Sequence, residues 1–309
     1  MSTDLASAVG FAVPSGSGQV AELHASALVG AMLQHEASMA RCFHHFGVLK
    51  PDEAMSIAGT CRLELFDADQ LVRETQRELA LGLDGIPPLM RRVRDNVELF
   101  NPKAAQHVYR CGRWDVLQKN ALRWLSYQWA QALESDLNAI VSLLNARLPQ
   151  FAPRVLRAQG RLRQAHRYGL QLELATTDPV ACERSGLFLE HLMSDLGMEA
   201  LSPGTPCAPL DDWLLLGAEY GVLTQCLVGV GIDARLIWLQ QQRQGLESAL
   251  QRVPLGVAQW LSEGQTLQAS GSAAAAEFWT VLWPQWAVLL RQTTQVAQSL
   301  RLNLESRYA

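Results

Sequence analysis

The apolar residues Leu23, Leu28, Met32, Leu33, Met39 and Phe43 return at helical spacing, and Gly47 closes that stripe before Pro51-Asp52-Glu53 opens another. Glycine ends helices because it enters the left-handed region freely. Proline starts them because its missing N–H is one the first turn leaves unpaired anyway. The strongest periodicity lies downstream. Leu122, Leu125, Trp129, Leu133, Leu137, Ile140, Leu144 and Leu148 step by three or four, with no proline or glycine between Val116 and Leu148. That pattern predicts one long helix of a bundle. Asp211 to Gln242 continues in the same manner with Gly217, Gly221, Gly229 and Gly231 along it, which predicts an inner helix that its neighbours approach closely. A last helix is expected from Ala273 to Ser306, interrupted at Pro284, with Trp279, Trp283 and Trp286 on a core or interface face. Strand-like alternation is confined to Leu170 to Thr177, a short strand or an irregular crossing that ends at Asp178-Pro179. The pattern predicts an all-α fold: an arm over residues 1–18, an N-terminal helical region over 19–110 and a long-helix bundle over 111–309.

Composition narrows the function classes. With 309 residues, 49% hydrophobic and 18% charged, the chain can bury a sizeable core. Its net charge of −4 supplies no basic surface for phosphate backbones, and the Arg-rich stretch Arg154 to Arg167 is local, so nucleic acid is excluded as a partner. Cys42, Cys61, Cys111, Cys182, Cys207 and Cys226 are scattered with no C-x-x-C pair, and they read as reduced thiols of a cytoplasmic protein. The first residues carry no signal-peptide pattern and no stretch is long enough to span a membrane. His35-Glu36 and His44-His45 do not place two histidines four apart on one helix face, so no metal is assigned. Gly229-Val-Gly231 lacks a preceding strand and a third glycine, which leaves it a packing feature, and no cofactor is expected.

Several segments do resemble a known family. Ala21 to Cys61, the turn Leu83-Asp-Gly-Ile-Pro-Pro-Leu89, the stretch Ala104 to Leu122, Gln251-Arg-Val-Pro254 and Glu277-Phe-Trp279 are similar to framework segments of the 3-carboxy-cis,cis-muconate cycloisomerases of the fumarase/aspartase superfamily. The resemblance implies a long helical bundle, a tetramer with sites shared between subunits, and addition or elimination next to a carboxylate. Such chemistry needs a base for a weakly acidic C–H and preorganised donors for the charged intermediate.

The residues that should carry this chemistry depart from the pattern. Against the family's H-x-G-A-T-S-Q-D text, Tyr109 stands at the His, Cys111 at the Gly, and Arg113-Trp114-Asp115 at Thr-Ser-Gln. In the second segment Gly160 and Arg161 fit, Arg163 occupies the place of the catalytic His, and His166 follows one turn later. The third segment, a mobile loop with the base Ser, a Lys and an Asn, is missing between Leu239 and Gln251; Ser248 and Ser262 nearby read as ordinary helix or turn serines. Two readings stand. The chain is a degenerate, non-catalytic helical subunit or carboxylate binder, in a homo-oligomer or with an active relative. Alternatively it is a repurposed lyase or cycloisomerase whose candidate residues are Tyr109, Arg113, Asp115, Arg163 and His166. The missing loop favours the first, with Arg113 and Arg163 as guanidinium partners for a small carboxylate.

Overall fold

The computed structural model describes residues 25–68, 70–71, 73–74, 78, 86–110, 113–169, 172–174, 176–198, 219, 221–230 and 293–306. All regular structure among them is helical, in line with the sequence pattern. In chain order the helices are α1 (Ala25–His45), α2 (Pro51–Thr60), α3 (Pro88–Glu98), α4 (Pro102–Ala105), α5 (Trp114–Arg147), α6 (Ala152–Gly169), α7 (Pro179–Glu183) and α8 (Ser185–Asp195), with a 3-10 turn at Leu63–Leu65. Residues 221–230 (α9) and 293–306 (α10) are also helical. No described helix is long and apolar enough to cross a membrane. The chain divides into two compact units, residues 1–126 with 171–202 and residues 127–170 with 203–309.

The first unit is organised around α1. Its stripe Leu28, Met32, Leu33, Met39 and Phe43 is buried as expected, but His35, Glu36 and Ser38 on other faces are buried too. The helix is therefore buried on more than one face. It ends where Gly47 turns left-handed at φ 75°. There the Gly47 N–H donates to the His44 carbonyl at 2.9 Å and the Val48 N–H to the Phe43 carbonyl at 2.8 Å, filling acceptors that a helix end leaves open. The backbone N–H of Lys50 then donates to Glu53 Oε2 at 2.9 Å and Pro51 starts α2. Asn101 caps α4, its Oδ1 accepting from the Ala104 N–H at 3.1 Å, while its Nδ2 donates to Ser56 Oγ of α2 at 3.1 Å. Helix α8 packs on α1 through Phe43 and Phe188, 5.0 Å between ring centres, and through His45 stacked on His191 at 4.0 Å. Arg41 closes that contact with hydrogen bonds to Asp195 at 2.6 and 2.9 Å.

In the second unit Leu133, Leu137, Ile140 and Leu144 of α5 are fully buried, with Leu148 at the end of the stripe, so the long-helix reading holds to within a few residues at each end. Helix α6 contributes Val155, Ala158 and Leu162 to the core. Polar links tie the helices together: Gln159 Nε2 donates to Asn138 Oδ1 at 2.8 Å, Arg161 meets Glu219 at 3.1 Å, Arg301 pairs with Asp136, and the Thr224 and Thr293 hydroxyls share a buried hydrogen bond. Burial pushes the Asp136 carboxyl above its ordinary range despite the pull of Arg301. Trp279, Trp283, Trp286, Ser248, Ser262 and the Leu239 to Gln251 gap lie outside the described residues.

Candidate functional site

Residues 172–174 and 176–178, the described part of the segment from Leu170 to Asp178, have no regular structure and form an irregular crossing rather than a strand. Asn120 of α5 sets its position. The Asn120 Oδ1 accepts from the Glu173 N–H at 2.9 Å and its Nδ2 donates to the Glu173 carbonyl at 2.7 Å, so one side-chain amide serves both backbone groups of a single residue. The same Nδ2 lies 3.0 Å from His35 Nε2, which accepts from it. Arg123, one turn along α5 and buried, pairs with the Glu173 carboxylate at 3.1 Å.

Next to His35 on α1 stands Glu36, also inside the protein. Its Oε1 accepts from the backbone N–H of Tyr109 at 2.7 Å, while its Oε2 and the His35 Nδ1 have no hydrogen-bond partner among the described residues. Tyr109 is held at φ 63°, a left-handed conformation that costs a non-glycine residue on the order of 1 kcal/mol. The carboxylate of Glu36 therefore holds a strained turn. Burial pushes the Glu36 carboxyl up to about 7, against the hydrogen bond from Tyr109, and pushes His35 down to about 4. Each effect favours the neutral form, as expected where water is excluded. Cys61 is raised well above its ordinary value by burial and by the Glu36 charge, so it stays a thiol.

The residue after Tyr109 is bound as firmly. Arg110 donates from Nη2 and Nε to Asp178 Oδ2 at 2.6 and 3.2 Å, meets His107 Nδ1 at 2.7 Å and lies over the Phe43 ring at 5.4 Å. Asp178 in turn caps α7, its Oδ1 accepting from the Val180 and Ala181 N–H groups at 3.0 and 3.2 Å. Burial alone would raise the Asp178 carboxyl, but Arg110 and the two helix N–H groups hold it below the usual carboxylate range. The turn before α5 is thus fastened at Tyr109 to α1 and at Arg110 to the crossing.

Solved structures share this architecture. A 3-carboxy-cis,cis-muconate lactonizing enzyme from Pseudomonas putida superposes with a TM-score of 0.72 at 16% identity, over 90% of this chain and 71% of that one. The fold is that of the carboxymuconate cycloisomerases. A β-carboxy-cis,cis-muconate cycloisomerase from Acinetobacter calcoaceticus gives 0.68 at 15% identity, over 91% and 72% of the two chains, and a fumarate lyase from Mesorhizobium gives 0.60 at 11%, over 93% and 73%. No protein-family model and no curated protein matches the sequence. The cycloisomerase fold read from framework segments is therefore present, in a shorter chain than its structural neighbours.

Within that cycloisomerase fold the five candidate residues fall into two sets. Tyr109, Arg113 and Asp115 belong to the first unit, Arg163 and His166 to the second. Tyr109 is buried in the turn just described and Arg113 is exposed immediately before α5. Arg163 is exposed on α6 and pairs loosely with Glu134 at 3.7 Å. Asp115 and His166 lie on α5 and α6, and their side chains are outside the described residues, as are Cys111 and Gly112. Among the described residues no group of three or more His, Cys, Asp or Glu is arranged to hold a metal ion. Sequence reading considered His35 and Glu36 only as metal ligands, and it did not single out Glu36 as a buried acceptor, Asn120 or Glu173. A signal existed for the first of them, because Glu36 is the only formal charge between Ala25 and Ala40.

Proposed function

We propose that this chain is a non-catalytic helical subunit with the cycloisomerase fold, able to bind a small carboxylate but not to run the lyase or lactonising reaction. One observation carries the reading: the turn at Tyr109 and Arg110 spends its donors inside the protein, the Tyr109 N–H on Glu36 and the Arg110 guanidinium on Asp178 and His107. Donors for a developing oxyanion must be aimed at substrate, and these are aimed at the core. The sequence adds the missing base-bearing loop between Leu239 and Gln251. Arg113, exposed immediately before α5, and Arg163, exposed on α6, remain the sequence's candidate partners for a carboxylate.

The test is turnover of 3-carboxy-cis,cis-muconate, followed by loss of diene absorbance, and of succinyl-type substrates, followed by fumarate release. The expected result is none above background. A rate on the order of 1 s⁻¹, ordinary for enzymes, overturns the proposal. The repurposed-enzyme reading draws on one observation of its own, the Glu36 carboxyl at about 7, the range of a general base. Turnover abolished by Glu36→Gln with the fold intact would establish it in place of the first.

A further inference from the structure

Where α2 ends, the chain makes the 3-10 turn Leu63–Leu65 against the early part of α1. A groove of about 560 Å³ lies there, with Gly30 and Gln34 of α1 as one wall and residues 61–65 as the other. That volume falls within the roughly 300–1,000 Å³ usual for small-molecule sites. Its lining combines three features. Arg62 and Glu64 bring opposite charges to the same concavity, and among the described residues neither has an ion pair or a side-chain hydrogen bond, with the other or elsewhere. Leu63 and Leu65 line it as well, Leu65 with 55% of its surface exposed. Cys61 is nearly buried and remains a neutral thiol, so Arg62 and Glu64 alone set the charge of the groove.

We propose that this groove binds a free α-amino acid with an apolar side chain, Arg62 taking the carboxylate, Glu64 the ammonium, and Leu63 with Leu65 covering the side chain. The balance of charge decides the class. A simple carboxylate gains Arg62 but faces Glu64, a simple amine has the converse problem, and a small zwitterion, of which a free α-amino acid is the simplest, meets both. A guanidinium grips a carboxylate through two parallel hydrogen bonds, and the Gln34 amide offers a further donor or acceptor from the opposite wall. The exposed Leu65, with the half-buried Leu63, sets the preference among amino acids, because an aliphatic side chain removes leucine surface from water and a charged one does not. The inference does not rest on the function proposed above.

Isothermal titration of the full chain tests it with L-leucine, with 4-methylpentanoate, which lacks the ammonium, with 3-methylbutylamine, which lacks the carboxylate, and with L-aspartate. Saturable binding of leucine is expected, weakened about tenfold or more for each of the other three, on the order of the worth of one charge-assisted contact. Arg62→Gln should lose leucine affinity and stop distinguishing leucine from 3-methylbutylamine. Glu64→Gln should stop distinguishing it from 4-methylpentanoate. Both side chains are exposed, and an unchanged thermal transition confirms that each variant folds. Absence of saturable leucine binding up to about 10 mM, equal binding of leucine and 4-methylpentanoate, or leucine binding unchanged by both substitutions overturns the proposal.

Discussion

His35 and Glu36 are neighbours in sequence, both inside the first unit, and displaced in opposite directions. Glu36 has a folded pKa of about 7, above its ordinary 4.5, so the folded state holds an extra proton between those values and stability falls as pH rises from about 4.5 to 7. His35 has a folded pKa of about 4, below its ordinary 6.5, so the unfolded state holds the extra proton and stability is lost as pH falls from 6.5 to about 4. The two slopes oppose each other and largely cancel between about pH 4.5 and 6.5 in the wild type. Glu36→Gln should expose the histidine slope, with stability rising from pH 4 to 6.5. His35→Gln should expose the glutamate slope, with stability falling from pH 4.5 to 7. Each swing should be on the order of 2 to 3 kcal/mol, read by urea denaturation at a series of pH values. Variants that both keep the flat wild-type profile would show that neither group is buried in neutral form. Sequence periodicity marks the apolar side of a helix and says nothing of what covers its other side, so it gave no sign that these two residues are internal. Only the neighbours that cover α1 make them internal.

At the scale of elements, the helices were legible wherever one cause dominates: the three-four stepping of α5, and Gly47 and Pro51 between α1 and α2. The crossing at Leu172 to Asp178 was legible only as an ambiguity, because its path is set by groups distant in sequence, Asn120 and Arg110. Asp178 joins two of these elements, capping α7 and holding Arg110. Its replacement by alanine removes a cap worth about 1 kcal/mol and leaves a half-buried guanidinium short of its partner for about 1 to 3 more. Asp178→Ala should therefore cost roughly 2 to 4 kcal/mol in denaturant unfolding, and Asp178→Asn, which keeps an acceptor for the α7 N–H groups, should cost less. The carboxyl sits below its ordinary range, so its contribution is complete above about pH 4 and is lost as pH falls through the lower folded value. Asp178→Asn should flatten that acid limb. Equal costs for the two substitutions would assign the whole effect to Arg110 and none to the cap. Leu137→Ala tests the long-helix core separately, with an expected loss of about 2 to 5 kcal/mol at a fully buried position.

For the whole molecule, assembly was expected from the resemblance, which implies a tetramer, and an uncovered apolar stripe on α5 would have offered one interface for it. Leu133, Leu137, Ile140 and Leu144 are fully buried within the single chain, so the stripe itself calls for no partner, and the case rests on other residues. Leu99 and Phe100, between α3 and α4, are 77% and 84% exposed, and Met55 of α2 is 69% exposed. The hydrogen bond from Asn101 to Ser56 holds the segment after Phe100 against the residue after Met55, which brings these apolar side chains onto neighbouring elements. Clustered exposed apolar residues on a folded chain mark contact surfaces more often than solvent faces, and symmetric self-association is the commonest way to cover one. The expected mass by light scattering at micromolar concentration is therefore a multiple of the 34.1 kDa chain. Leu99→Ser combined with Phe100→Ser should shift it toward the monomer without lowering the unfolding midpoint, since neither side chain contributes to the core. A monomeric wild type would remove the argument for self-association, and an oligomer indifferent to both substitutions would place its interface elsewhere on the chain.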